Sequence, residues 1–95
     1  MSKKRNPLLQ RYKEAKRQYL DALLIFKVGD FYELFFADAE EAAQTLNLAL
    51  SWRHEAGRES VPMCGFPYYA LESKLEQLRA INRAFVVFDP AYTPQ

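Results

Sequence analysis

Asp30 with Glu72-Ser73-Lys74 makes a D…ExK set, two carboxylates and an amine of the kind that some metal-dependent nucleases use to hold a divalent ion. That chemistry needs Glu72 and Lys74 on a strand, where residues two apart share a face. The sequence around them predicts a helix, on which they diverge. His54 and Cys64 are the single histidine and the single cysteine, too few for a conventional zinc site, and no serine triad assembles beside them. His54 reads as a loop residue and Cys64 as a small buried hydrophobe. The three glycines, Gly29, Gly57 and Gly65, are far apart and no GxxxxGK[ST] exists, so there is no phosphate loop for a nucleotide. The expectation is a non-enzymatic chain with no metal and no cofactor. What remains is V-G-D-F-Y-E-L-F, Val28 to Phe35. If Phe31 to Phe36 is a strand, Phe31 and Glu33 point one way and Tyr32 and Leu34 the other. An apolar ring beside a negative charge makes a poor core face, and it calls for solvent or a partner.

The elements that position this stretch follow from the pattern. Asn6-Pro7 reads as an N-cap followed by proline at the first helical position. Leu8, Leu9, Tyr12, Ala15, Tyr19, Leu20 and Leu23 then recur near helical spacing. Leu23 to Val28 changes to β-like composition, and Gly29-Asp30 reads as a tight turn into Phe31 to Phe36, which predicts a hairpin. Ala37 to Leu50 is a helix former with acids in its first turn. Ser51 to Arg53 is a short strand, His54 to Ser60 a polar loop, and Val61 to Gly65 extended up to Pro67. A helix from about Tyr69 to Asn82 carries Leu71, Leu75, Leu78 and Ile81 on one side, and Ala84 to Phe88 reads as a buried strand. The sum is an α/β (α+β mixed) fold: a small mixed sheet flanked by about three helices.

Composition agrees. With 95 residues, 49% apolar and 15% aromatic, the chain has enough material for one modest core and is not a disordered sequence. The apolar run Leu23 to Phe26 is too short to cross a bilayer, and the basic N-terminus lacks the apolar core of a signal peptide. A lone cysteine allows no internal disulfide. These features place the expected chain in the cytoplasm. The net charge of +1 hides an asymmetry: residues 1–20 hold seven basic side chains against Glu14, a balance of +6, and the rest hold six basic and eleven acidic, a balance of −5. A basic arm at Lys3, Lys4 and Arg5 can track phosphates, although the same pattern also suits a solvated helix face.

G-D-F-Y-E-L-F, Gly29 to Phe35, resembles the mismatch-recognition segment of the MutS family of DNA mismatch repair proteins. The similarity extends further. P-L-L-Q-R-Y-K-E-A-K is similar to the family's opening helix, and D-A-E-E-A-A-Q-T-L-N-L-A-L to the helix after the motif. V-P-M-C-G-F-P-Y-Y-A-L-E-S-K-L-E-Q-L, Val61 to Leu78, resembles the P-M-x-G-[IV]-P-Y-H-A segment and the helix beyond it. Together these matches run in the family's order from about residue 7 to 88. They divide the chain into a basic arm (1–6), a recognition domain (7–88) and an irregular tail (89–95).

The resemblance implies roles. In the family's first domain a phenylalanine enters the minor groove at a mispaired or unpaired base and kinks the duplex, and a glutamate hydrogen-bonds the mispaired base. By matching position these are Phe31 and Glu33. Val28 and Gly29 would lie near the groove, Arg53 aligns with a basic residue that approaches the backbone, and Met63 and Gly65 fall on the neighbouring segment. Unstacking a base step costs a few kcal/mol, less where pairing is already defective, so a wedge selects deformable sites. A carboxylate beside phosphates penalises intact duplex and is repaid where a displaced base presents a donor. The implied partner is mispaired, bulged or distorted double-stranded DNA, with no nucleotide and no membrane.

The sequence departs from the family in two places: Tyr69 stands where the P-Y-H-A segment has histidine, and Asp89 to Gln95 match nothing in it. MutS proteins are long dimeric chains with clamp, lever and ATPase domains, and no Walker motif is present here. The start at Met1 and the unmatched ending point to a free-standing protein of one such domain. A second reading is a detached domain that docks on another repair or recombination protein without touching DNA. A basic rim of Lys27, Arg53 and the arm around Phe31 favours DNA, and an exposed apolar patch without basic neighbours favours a protein partner.

Overall fold

A computed structural model describes residues 7–54 and 60–91. Helix α1 (Pro7–Gln18) leads into strand β1 (Leu23–Val28), which turns directly into β2 (Phe31–Phe35). Helix α2 (Phe36–Thr45), strands β3 (Ser51–Arg53) and β4 (Val61–Pro67), a short 3₁₀ turn (Tyr68–Ala70), helix α3 (Leu71–Ala80) and β5 (Phe85–Phe88) complete the order. The sheet runs β3-β4-β2-β1-β5, antiparallel except for the β1–β5 pair. This is the mixed sheet with three helices that the sequence predicts.

β1 is an interior strand with both of its faces covered, and its apolar residues run almost without a break. Leu23 and Ile25 join Tyr32, Leu34, Cys64 and Phe66 under Ala39, Ala42 and Leu46 of the α2 segment and Leu71, Leu75 and Leu78 of α3. Leu24 and Phe26 face the other way, with Phe35 and the α1 residues Leu9 and Tyr12. Tyr12 is the centre of that second cluster. Its ring lies 4.9 Å from Phe26 and 5.2 Å, edge-on, from Phe35. Its hydroxyl sits 2.8 Å from the Leu24 carbonyl oxygen and 2.9 Å from Asp38 Oδ2, with one proton to share between them. Asp38 also accepts from Lys16 Nζ at 2.9 Å and from the Leu24 N–H at 3.2 Å. The first-turn acid of α2 therefore serves as a buried tie between α1, β1 and α2.

Several boundaries differ from the sequence reading. Helix α1 stops at Gln18, leaving Tyr19 and Leu20 exposed, because Leu23 is needed as the first residue of β1. Helix α2 begins at Phe36 rather than Ala37 and ends at Thr45, where Asn47 takes a left-handed φ of 57° and turns the chain. Helix α3 ends the same way. Asn82 has φ 56°, Arg83 N–H donates to the Leu78 carbonyl at 2.9 Å, and Ile81 falls beyond the helix and is exposed. β5 is an edge strand with half-buried side chains, since only β1 flanks it. No helix among the described residues is long and apolar enough to cross a membrane.

Candidate nucleic-acid interface

The β1–β2 connection has two residues, Gly29 and Asp30, and Val28 pairs with Phe31 across it. Gly29 carries φ +61° at the first central position, the place where a two-residue hairpin of the II′ kind needs glycine. A Cβ there would meet nothing within 4 Å, so the requirement is one of backbone conformation alone. Gly29→Ala is expected to lower stability by about 1–2 kcal/mol, measured by chemical denaturation. The Asp30 carbonyl accepts the Tyr68 N–H at 2.8 Å, which anchors the turn to the segment after β4.

Phe31 opens β2 at this tip, opposite Val28 on one side and Pro67 on the other. Its side chain is on the α1 face of the sheet but belongs to neither core cluster, and the residue is 47% exposed. Glu33 follows on the same face, facing Phe26 across β1 and Gly65 across β4. Its carboxylate is mostly enclosed, at 16% exposure, and Arg53 NH1 stands 3.8 Å from Oε1. That is an ion pair without a hydrogen bond, and Oε1 is buried with no hydrogen-bond partner. Burial pushes the Glu33 carboxyl above the usual range, and Arg53 offsets part of the effect. Arg53 also lies over the Phe35 ring at 5.9 Å.

The charge state of Glu33 has a consequence for stability. The folded chain holds its proton more tightly than the unfolded chain does, so stability falls as pH rises through the ordinary glutamate range to the raised value of Glu33. Glu33→Gln is expected to be more stable than the wild type at pH 7 by less than about 1 kcal/mol, with no difference below about pH 3.5. Urea unfolding at the two pH values measures this.

The structure brings Val28, Gly29, Phe31, Glu33 and Gly65 to one face near the hairpin end of the sheet, while Arg53 pairs with Val61 at the other end of β4 and approaches Glu33 only through its side chain. Met63 shares the face but is packed against the second cluster beside Phe35 and Ser51. Lys3, Lys4 and Arg5 lie outside the described residues. Lys27 does not take part in a basic rim around Phe31, the feature that would favour DNA. It pairs with Tyr32 in register, and its ammonium lies 5.7 Å from the Tyr32 ring and 5.9 Å from that of Tyr68, on the opposite face. The cation missed in the sequence is Arg11 of α1, whose guanidinium lies 5.6 Å from the Phe26 ring, next to Glu33's cross-strand neighbour. Its place one position before Tyr12 on the helix was the available signal.

The nuclease-like set does not assemble. Glu72 and Lys74 lie on α3, where Glu72 faces Arg79 at 3.9 Å and Lys74 donates to the Leu46 carbonyl at 3.4 Å. Among the described residues no three His, Cys, Asp or Glu side chains gather as a metal site. Cys64 is buried, its thiol pushed up to about 11 by desolvation.

The family model described as MutS domain I matches residues 6–89. This chain belongs to that family. It is 43% identical over 88 residues to the DNA mismatch repair protein MutS of Rickettsia canadensis, covering 93% of this chain and 10% of that protein. It is 51% identical over 72 residues to the MutS of a Geobacillus species, covering 76% of this chain and 8% of that one. Against the MutS of Staphylococcus carnosus it is 46% identical over 81 residues, or 85% and 9%. The chain spans about a tenth of the length of these MutS relatives. The described hairpin, with Phe31 at its tip and Glu33 two residues on, therefore stands on a mismatch-recognition-like domain.

Proposed function

We propose that the chain is a non-enzymatic module that inspects duplex DNA, with Phe31 as a wedge at mispaired, bulged or distorted sites and Glu33 as the base-contacting discriminator. The observation that carries this reading is the half-exposed Phe31 ring at a tightly turned hairpin tip. Phe31 heads a strand paired on both sides, so the wedge is pre-oriented and little of its binding energy goes into ordering. Beside it, the Glu33 side chain keeps 16% of its surface exposed and makes no hydrogen bond to Arg53. A donor on a base displaced from its pair can engage that carboxylate, whereas an intact pair presents only its phosphates' repulsion. Arg53 and Arg11 supply positive charge on the same face, and Lys3, Lys4 and Arg5 raise the net positive charge of the chain.

A second reading, docking on another repair or recombination protein through Phe31, draws on Lys27 having turned to the far face, which leaves the ring bordered by Val28 and Pro67. Titration of matched and mispaired duplexes against wild type and Phe31→Ala separates the two. The DNA reading expects a preference for the mispaired duplex that the substitution removes. Equal binding of both duplexes by both proteins would leave only the docking reading.

A further inference from the structure

Glu33 and Gly65 face each other across β2 and β4. A methyl group in place of one Gly65 hydrogen would stand 2.6 Å from the Tyr32 carbonyl oxygen and 3.1 Å from Glu33 Cγ. Both are closer than ordinary van der Waals contact, and the second is a contact with the side chain that carries the carboxylate. The backbone at Gly65 has no left-handed torsion to accommodate, since Gly29 is the only described glycine with positive φ. The space over the Cα is therefore what this position provides, and the Glu33 side chain is one of the two groups that use it. Because the side chain lies down over Gly65, its Oε1 is enclosed, too far from Arg53 for a hydrogen bond and without any other partner.

We infer that Gly65 is a positioning residue that, by lacking a side chain, lets β2 and the Glu33 side chain lie close over β4 and so holds the carboxylate partly withdrawn from water. The assignment deepens the DNA-inspection reading, on which its functional half rests. It also gives Gly65 a different part from a groove contact: Gly65 acts through Glu33. A larger residue would lift the carboxylate off β4 toward water. There the acid would be hydrated or would close on Arg53, and in either case the carboxylate would leave the place in which the DNA-inspection reading has it meet a base. The same methyl group would press on the Tyr32 carbonyl oxygen, so the β2–β4 pairing beside Phe31 would also shift.

The test uses the full chain. In the wild type, the Gly65 Cα protons should show a strong nuclear Overhauser effect to the Glu33 Cγ protons, and its absence would overturn the assignment whether or not any variant folds. In Gly65→Ala, a carboxyl ¹³C titration should show Glu33 moving down toward an ordinary glutamate as it rehydrates; titration at the wild-type value would overturn the assignment. With DNA, Gly65→Ala should lose the mispaired-over-matched preference to the same extent as Glu33→Ala, roughly tenfold, and combining the two substitutions should cause no further loss. Additive losses would contradict it. If the wild type itself shows no preference between duplexes, the DNA reading fails, and the Overhauser and titration results still decide the place of Gly65.

Discussion

Asp38→Ala is expected to lower the stability of the chain by about 3 kcal/mol, a large share of what a domain of this size has. Asp38 is buried at the junction of α1, β1 and α2, accepting from Lys16 Nζ, from the Leu24 N–H and from the neighbourhood of the Tyr12 hydroxyl. Removing the carboxylate strands the Leu24 N–H away from water, which costs about 1–3 kcal/mol. It also deprives the Lys16 ammonium of its counter-charge. Lys16 is 28% exposed and keeps the Ala22 carbonyl at 2.6 Å, so the loss stays below that of a fully enclosed pair. Tyr12→Phe is the milder companion. It removes one hydroxyl and leaves the stacked rings, at a cost of about 1 kcal/mol. Urea unfolding of the two variants ranks them. Near-equal losses would show that ring packing, and not the carboxylate, ties α1 to the sheet.

Phe31→Ala is expected to leave folding nearly untouched and to reduce preference for mispaired duplex by about 5- to 150-fold, the range that follows from about 1–3 kcal/mol per aromatic–base stack. The small folding cost follows from the position: the ring is half-exposed at the mouth of the hairpin and belongs to neither core cluster. The large binding cost follows because a wedge is what offsets the unstacking of a base step. Without the ring, mispaired and matched duplexes differ only in their intrinsic flexibility. Binding to matched duplex should change little, since phosphate contacts dominate there and Phe31 makes none. A comparable loss on both duplexes would indicate that the ring serves general affinity and does not select a site.

Much of this was legible in the residues themselves. Gly29-Asp30 between two β-like runs announced the hairpin, and alternation along Phe31 to Leu34 put the aromatic ring and the acid on one face, as found. The face of Lys27 was readable by the same alternation: it is paired with Tyr32, so it had to leave the side of Phe31. The ends of α2 and α3 were harder to place because they depend on Asn47 and Asn82 adopting left-handed torsions. Asparagine tolerates that conformation without demanding it. The exposure of Ile81 and the early end of α1 follow from the same local competition between helix continuation and the approach to a strand. What no pattern could supply is the spacing around Glu33: the distance to Arg53, the bare Cα of Gly65 beneath it, and the oxygen left without a hydrogen bond. Those arise from how closely β2 and β4 approach, a tertiary quantity. The placement of Arg11 over Phe26 is of the same kind.

In the proposed function the Phe31 ring enters the base stack where pairing is broken. A duplex carrying 2-aminopurine beside a mispair reports this directly, since the base brightens when its stacking is lost. At protein concentrations that saturate the duplex, wild type is expected to raise the fluorescence, and Phe31→Ala, bound to the same extent, is expected to leave it unchanged. A wild-type complex in which the probe stays quenched, or an equal rise with Phe31→Ala, would contradict it.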